Sequence, residues 1–143
     1  MLTDLTVMSF MTDRIFADTN LFVYAQSNNE YKSSLATSYI ENSPVISTQV
    51  VNETVSVLIK KYKYTLSEAH EIAESLLELC EIVPVDETTI RQAILLAKTY
   101  SLSHWDSLIV SSALLAGCNV LLSEDMQHGQ VFNNQLKVVN PFI

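Results

Sequence analysis

Short apolar runs alternate with longer helical patterns along the chain, and this order restricts the possible folds more than any other feature of the sequence. The predicted strands occupy residues 14–18, 45–47, 82–85, 120–123 and 137–139. A short helix is predicted after Asn20, and longer ones at residues 31–42, 48–62, 65–81, 86–100 and 103–116. Repeated strand–helix order requires crossover connections, which favour a mainly parallel sheet. We therefore predict an α/β/α sandwich.

The composition favours one compact domain. A chain of 143 residues, 48% of them hydrophobic, can bury a sizeable core without disulfides or structural metal. With 2 Gly and 3 Pro, it is not a loop-rich all-β protein, a collagen-like repeat or a disordered chain. We assign residues 14–143 to the domain. Residues 1–13 are expected to be an N-terminal extension, which is either disordered or the result of a start codon set too early.

Cysteine use and hydropathy bear on the compartment. Cys80 and Cys118 form neither a CxxC motif nor a disulfide framework. No segment has the length of a membrane span, and the N-terminus lacks the basic start and apolar core of a signal peptide. The sequence therefore predicts a protein of the reducing cytoplasm that does not associate with membranes.

The charge balance opposes non-specific binding to nucleic acid or to an anionic membrane. The sequence holds 8 Lys and Arg against 16 Asp and Glu, a net charge of −8. A nucleic-acid function would therefore need metal ions or a local basic patch. Five glutamates recur at helical spacing and are interpreted as a solvated face: Glu68, Glu71, Glu74, Glu78 and Glu81.

One basic cluster follows the predicted helix at residues 48–62. It consists of Lys60, Lys61 and Lys63, with Tyr62 and Tyr64 between and after them. Cations at a helix C-terminus interact favourably with the helix dipole, which explains the cluster without any ligand. Lysines interleaved with aromatic rings also suit RNA, through phosphate contact and base stacking. Both interpretations remain open at this point.

Two acidic residues follow predicted strands. Asp18 ends the first strand, and Asp125 lies two residues beyond the fourth. Because the carboxyl ends of parallel strands meet at one edge of a sheet, both side chains are expected at the same edge.

Two further acids lie on predicted helices. Glu53 is at the margin of an apolar arc, and a solvated rim position explains it equally well. Asp106 falls on the apolar stripe of its helix with no Lys or Arg in helical reach, so its charge needs hydrogen bonds, a proton or a cation. The alternative for Asp106 is a capping box with Ser103.

The residue types favour a hard divalent cation over other catalytic chemistry. Four carboxylates, from Asp18, Glu53, Asp106 and Asp125, would offer oxygen ligands that suit Mg²⁺ or Mn²⁺ rather than zinc. The three histidines are scattered without metal-ligand spacing: His70, His104 and His128. There is no GxSxG elbow and no glycine-rich phosphate loop.

Several short motifs together resemble PIN-domain nucleases. They are DTN at residues 18–20, Glu53 in a helix, WDSLI at residues 105–109 and LLSEDM at residues 121–126. The ending NPF at residues 140–142 is similar to that of the VapC branch, the toxins of toxin–antitoxin pairs. The resemblance extends from Arg14 to Phe142, and the order and spacing of the motifs make it specific.

The resemblance implies roles for particular residues. Asp18, Glu53, Asp106 and Asp125 correspond to the acidic quartet of the family, and Asn20 and Ser123 to its supporting polar positions. The family's chemistry is hydrolysis of RNA with one or two Mg²⁺ ions, which polarise the phosphodiester and activate water. Glu124 and His128 vary within the family and are assigned no catalytic role.

The resemblance also implies partners. A VapC-like toxin has an RNA substrate and a small antitoxin that places a basic side chain against the acidic cluster. Apolar surface beyond the needs of one core favours a homodimer. The main alternative is a catalytically silent interaction module on the same fold. A phosphatase or receiver-type domain fits less well, because the first strand ends in DTN without a second Asp.

Overall fold

A six-stranded sheet lies at the centre of the computed structural model, which describes residues 13–143. The strands are β1 (Ile15–Ala17), β2 (Val45–Ser47), β3 (Glu81–Val83), β4 (Val120–Leu122), β5 (Val131–Phe132) and β6 (Leu136–Val139). Their order is β3-β2-β1-β4-β6-β5, and every neighbouring pair is parallel except β5 with β6. The predicted α/β fold with a mainly parallel sheet is confirmed.

Six helices among the described residues flank this sheet. They are α1 (Thr19–Ala25), α2 (Glu30–Ile40), α3 (Thr48–Lys60), α4 (Leu66–Leu79), α5 (Glu87–Tyr100) and α6 (His104–Leu115). Helix α1 packs against α2 and α3, α3 against α4, and α5 against α6. None of these helices combines the length and the apolar character that crossing a bilayer requires.

Helix α6 is a core helix rather than an amphipathic surface helix. All eight residues from Ser107 to Leu114 are buried, because α6 lies between α5 and strands β2 and β6. The Ser111 hydroxyl donates to the Thr89 carbonyl of α5 at 2.8 Å, which satisfies a buried polar group. This packing fixes the start of α6, and therefore Asp106, relative to the sheet.

Capping residues set most helix starts where the sequence predicts them. Thr65 and Glu68 form the predicted capping box of α4, and Asp86 caps α5. Helix α4 ends at Leu79, earlier than predicted, since Cys80 has extended backbone angles. Glu81 then begins β3, one residue before the predicted strand, and its carboxylate forms an ion pair with Arg14.

Strand β5 is absent from the predictions. It has two residues and pairs with β6 through a tight turn in which Asn133 and Asn134 have φ of 51° and 54°. The Gln135 amide donates to the Phe132 carbonyl at 3.0 Å and closes this turn. Successive residues with positive φ are typical of a type I′ hairpin turn, so the Asn-Asn pair was the available signal.

The C-terminal segment packs beside α1. The Asn140 side chain accepts a hydrogen bond from the Phe142 amide at 2.9 Å, and the Phe142 ring meets Tyr24 edge-on with centroids 4.7 Å apart. At the N-terminus, the extension predicted for residues 1–13 lies outside the described residues, apart from Asp13. The Asp13 carboxylate accepts from Asn119 at 2.9 Å.

Candidate active site

The buried carboxylate of Asp18 lies where two central strands end. Ala17 of β1 and Leu122 of β4 are register partners, and the Asp18 amide continues this pairing by donating to the Leu122 carbonyl at 3.0 Å. Asp18 is also the N-cap of α1, and its Oδ1 accepts from the Thr19 amide at 2.7 Å. The Ser123 hydroxyl donates to Oδ2 at 3.0 Å. Only 5% of Asp18 is exposed.

The environment of Asp18 favours its protonated form. Burial raises the pKa of this carboxyl to about 6, and the negative charges of Asp125 and Glu53 add to the shift. Hydrogen bonds from Thr19 and Ser123 favour the ionised form and oppose the shift. A buried carboxyl whose pKa is strongly raised by desolvation and by neighbouring acids is a frequent property of functional sites.

Glu53 faces the same region from α3. Its Oε2 accepts from the Thr19 hydroxyl at 3.0 Å, and its Oε1 accepts from the Gln49 amide at 2.9 Å. The Gln49 Nε2 lies 3.3 Å from the Trp105 carbonyl as well, so this side chain connects α3 with the start of α6. The half-buried Glu53 is therefore held in a fixed position rather than free in water.

Asp106 occupies the first turn of α6. Its amide donates to the Ser103 hydroxyl at 3.1 Å, so Ser103 caps the helix as its spacing with Asp106 predicts. The Asp106 carboxyl is half-buried. Burial raises its pKa, the charges of Asp125 and Glu53 raise it further, and hydrogen bonding with Ser103 opposes the shift. The capping contact involves the Asp106 amide, so it does not explain why the Asp106 carboxyl lies near the charges of Asp125 and Glu53.

Asp125 completes the set from the loop after β4. Its amide donates to the Ser123 hydroxyl at 3.2 Å, and its Oδ2 accepts from the Asn20 side chain at 3.1 Å. Ser123 therefore contacts both Asp18 and Asp125, and Asn20 joins α1 to this loop. These are the two residues that sequence reasoning placed in supporting positions.

The four carboxylates line one cavity of about 150 Å³. The other lining residues are Thr19, Asn20, Gln49, Val57, Trp105 and Ile109. No Lys or Arg of the described residues lines it. A larger cavity of about 440 Å³ lies at the opposite edge of the sheet, around the starts of β1 and β2, and has Asp13 as its one carboxylate among the described residues.

The donor set of the smaller cavity fits a hard divalent cation. All four acids offer oxygen ligands, and the Gln49 Oε1 is a buried acceptor without a hydrogen-bond partner among residues 13–143. Within the same part of the chain, no three His, Cys, Asp or Glu side chains lie close enough together to form a ready-made metal site.

The remaining residues named from the sequence lie outside the cavity lining. Lys60, Lys61 and Lys63 are exposed at the end of α3, and His70 is exposed on α4, as expected. His104 is exposed and pairs edge-on with Trp105, while the His128 Nδ1 accepts from the Asn140 amide at 3.0 Å. Four glutamates of the predicted helical face are exposed on α4, whereas the prediction is wrong for Glu81, which lies on β3 and forms an ion pair with Arg14.

Sequence reasoning missed two hydrogen-bond donors of the site, Thr19 and Gln49. Gln49 lies four residues before Glu53 on the same helix, a spacing at which side chains meet, and this was the available signal. Thr19 follows Asp18 directly, but its contact with Glu53 depends on how α1 packs against α3 and leaves no local signal.

Comparison with known proteins identifies the family. The sequence profile of the PIN domain matches residues 15–131. No curated protein matches significantly. The structure is similar to FitAcB from Neisseria gonorrhoeae, with a TM-score of 0.64 and 26% identity over 90% of this chain and 98% of that one.

Two other solved structures show the same fold at lower identity. A toxin–antitoxin complex from Klebsiella pneumoniae gives a TM-score of 0.65 and 21% identity, over 90% of this chain and 98% of that chain. VapC20 from Mycobacterium tuberculosis, a toxin that cleaves the sarcin–ricin loop, gives 0.62 and 17%, over 75% and 86% of the two chains. The profile match covers most of the chain, and the chain therefore belongs to the PIN domain family.

Proposed function

We propose that this protein is a Mg²⁺- or Mn²⁺-dependent ribonuclease and the toxin of a toxin–antitoxin pair. The observation that carries the proposal is the convergence of four carboxylates, from four separate segments, on one cavity that no described Lys or Arg lines. One of them, Asp18, is buried with a pKa raised to about 6, which is costly for a purely structural residue. A bound cation would relieve this cost.

The roles of the residues follow from their contacts. Asp18, Glu53, Asp106 and Asp125 would hold the cation, and its contribution when bound is to neutralise phosphate charge and activate water. Ser123 orients Asp18 and Asp125. Asn20 orients Asp125, and Thr19 and Gln49 orient Glu53. No covalent enzyme intermediate is required.

The RNA surface is proposed to include the end of α3. Lys60 lies seven residues after Glu53, which places it about 10 Å further along nearly the same helix face. With Lys61 and Lys63 it offers phosphate contacts outside the acidic cavity. Replacing all three by Ala is expected to weaken RNA binding and to reduce its salt dependence.

The test of the nuclease proposal is cleavage of a structured RNA by purified protein. Cleavage is expected with Mg²⁺ or Mn²⁺, and is expected to stop in EDTA and in the Asp18→Asn and Asp106→Asn variants. Glu74→Gln, which neutralises an exposed acid of α4, is the matched control and should retain full activity. Cleavage that persists in EDTA, or in both site variants, contradicts the proposal.

The alternative is a catalytically silent interaction module on the same fold. It is supported by the lack of three acids in ready-made ligand geometry among the described residues. Titration with Mn²⁺ separates the two functions. Binding that disappears in Asp106→Asn and persists in Glu74→Gln supports the nuclease, and no binding to the wild type supports the silent module.

A small antitoxin is the proposed protein partner. Structures similar to this one include toxin–antitoxin complexes. The acidic cavity would accept a basic side chain from such a partner. Expression of the protein alone is expected to arrest growth, and co-expression with a neighbouring small gene to restore it. A protein that is harmless alone and co-purifies with nothing contradicts the toxin role and leaves the nuclease role intact.

We also propose a homodimer that acts in the cytoplasm. Large apolar side chains are exposed on both α4 and α5, among them Leu77, Ile94 and Leu95. Both cysteines are buried and free, as expected in a reducing compartment. Sedimentation equilibrium should give twice the chain mass, and a monomer at micromolar concentration contradicts the dimer.

A further inference from the structure

Trp105 is a large aromatic side chain left exposed at the candidate active site. It lies in the first turn of α6, directly before Asp106, and lines the same cavity as the four carboxylates. Its exposed fraction is 62%. Aromatic side chains bury large areas when they pack, so an exposed indole beside a polar cavity offers contact area to a ligand.

Trp105 contacts two of its neighbours. Its carbonyl lies 3.3 Å from the Gln49 Nε2, and Gln49 in turn binds Glu53. Its ring pairs edge-on with His104 at a centroid distance of 5.3 Å. An edge-on pair occupies at most one face of the indole, so a second ring can stack on the other face.

The negative charge of this site is unfavourable for binding RNA, which is itself a polyanion. The cavity is lined by four carboxylates, the protein carries a net charge of −8, and Lys60 begins two helical turns from Glu53. A bound cation would offset part of this repulsion, and contacts that do not depend on charge would add to the affinity for RNA. Stacking of a base on an aromatic ring is such a contact.

We infer that Trp105 is the stacking platform for one unpaired base beside the phosphate that enters the acidic cavity. This inference rests on the proposed ribonuclease function and narrows its substrate. A base can stack on a protein ring only after it leaves its own helix, so the substrate is RNA that is single-stranded at this point. Every base has a π face, so Trp105 selects an unpaired nucleotide and not a particular base.

The chain offers a direct probe, because Trp105 is its one tryptophan. Tryptophan fluorescence is recorded by stopped flow in Mg²⁺, before cleavage proceeds, on mixing with increasing concentrations of two RNA hairpins. One has an unpaired loop of eight nucleotides, and the other has the same stem with a minimal loop. Quenching is expected with the first hairpin and little or none with the second.

Variants test whether the contact contributes to affinity. Trp105→Ala is expected to raise the Kd for the open hairpin by about thirtyfold, the middle of the range for one stacked base. Trp105→Phe keeps a stacking ring and should stay within about threefold of the wild type. Leu115→Ala is the matched control, since Leu115 is an exposed apolar residue near the other end of α6 and should leave the Kd unchanged. Thermal melts verify that each variant is folded.

Four outcomes overturn the inference, and they differ in what they imply for the proposed function. Equal quenching by both hairpins, or a wild-type Kd in Trp105→Ala, removes the stacking role and leaves the nuclease proposal intact. Fluorescence that responds to a co-purified protein partner but not to RNA assigns Trp105 to a protein interface. Failure of the wild type to bind or cleave any RNA removes the proposed function together with the inference.

Discussion

Asp18 is the residue whose ionisation the fold changes most clearly. Its pKa is raised to about 6 in the folded protein, chiefly by burial, whereas the unfolded value is close to 4. Between pH 4 and pH 6, Asp18 is therefore mostly ionised in the unfolded chain and mostly protonated in the folded protein. Asp18 therefore contributes stability that is fully present below pH 4 and is lost as pH rises through 6, about 3 kcal/mol in total.

This pH dependence is the first prediction. In EDTA, the free energy of unfolding of the wild type should fall by about 1 kcal/mol more between pH 5 and pH 7.5 than that of Asp18→Asn. The asparagine can keep a hydrogen bond from the Thr19 amide but carries no titrating proton. Urea denaturation of both proteins at the two pH values measures the difference. An identical pH dependence would show that Asp18 titrates normally.

Asp106 gives the second prediction at this scale. Its negative charge destabilises the metal-free fold, whereas its capping contact with Ser103 stabilises helix α6. Its carboxyl is near Asp125 and Glu53, and their repulsion destabilises the metal-free fold. The Ser103 cap uses the Asp106 amide, which Asp106→Asn retains. In EDTA, the variant should therefore melt at the same temperature as the wild type or above it.

Millimolar Mg²⁺ should then raise the melting temperature of the wild type more than that of Asp106→Asn, since a ligand that binds the folded state alone stabilises it. Glu74→Gln, on the exposed face of α4, is the control and should respond to Mg²⁺ like the wild type. An equal shift in Asp106→Asn and the wild type would exclude Asp106 from the cation site.

At the scale of elements, one cluster of side chains joins α1, α2, the loop after β4 and the C-terminal segment. The Tyr24 hydroxyl donates to Glu124, the Lys32 ammonium lies 4.4 Å from the Tyr24 ring centroid, and the Phe142 ring packs against the same ring. Glu124 directly precedes Asp125. This cluster therefore holds the loop that carries one of the four acids, and Phe142 of the NPF ending is part of it.

The third prediction concerns the hydroxyl of Tyr24. Tyr24→Phe keeps the ring contacts with Lys32 and Phe142 and removes the donor to Glu124, so the free energy of unfolding should fall by about 1 kcal/mol. Urea denaturation measures this loss. Tyr31→Phe, which changes an exposed tyrosine on α2, is the comparison and should have no effect. An unchanged stability in Tyr24→Phe would show that the bond to Glu124 contributes nothing.

Elements were predictable where local chemistry determines them. Strand β2 agrees with the prediction because Pro44 precedes it and Ser47, its last residue, caps α3, and α5 begins after its predicted cap Asp86. The hairpin of β5 and β6 was missed because β5 has two residues, too few to show a period. The end of α4 was misplaced because the chain pairs with β2 from Glu81 onward, and this pairing joins residues far apart in sequence.

The same distinction applies to the candidate site. The strand-end acids Asp18 and Asp125 follow from parallel topology alone, and the structure brings both to one cavity with Glu53 and Asp106. The contacts of Thr19 and Gln49 depend on how α1, α3 and α6 pack, which local patterns do not encode. The metal-binding and catalytic roles of the acids remain predictions.

At the scale of the whole molecule, much of the negative charge lies away from the cavity. Glu71, Glu74 and Glu78 are exposed on α4, and the net charge is −8. Long-range repulsion from such a face slows the approach of RNA and is screened by salt. The cavity acids are proposed to act at short range through a bound cation. The effect of the α4 charges on RNA binding can therefore be distinguished by experiment from the effect of the cavity acids.

The last prediction tests whether the charges on α4 influence RNA binding independently of the Mg²⁺ requirement. Changing Glu71, Glu74 and Glu78 to Gln together reduces the net negative charge from −8 to −5. At low salt this variant should bind RNA a few-fold more tightly than the wild type, and the difference should disappear at about 0.5 M salt, where the Debye length is only a few ångströms. Its requirement for Mg²⁺ should not change, because none of the three residues lines the cavity. Filter binding and cleavage assays at both salt concentrations measure these effects. A Kd equal to that of the wild type at low salt would show that the α4 charges do not influence RNA binding, and that local contacts near the cavity control it.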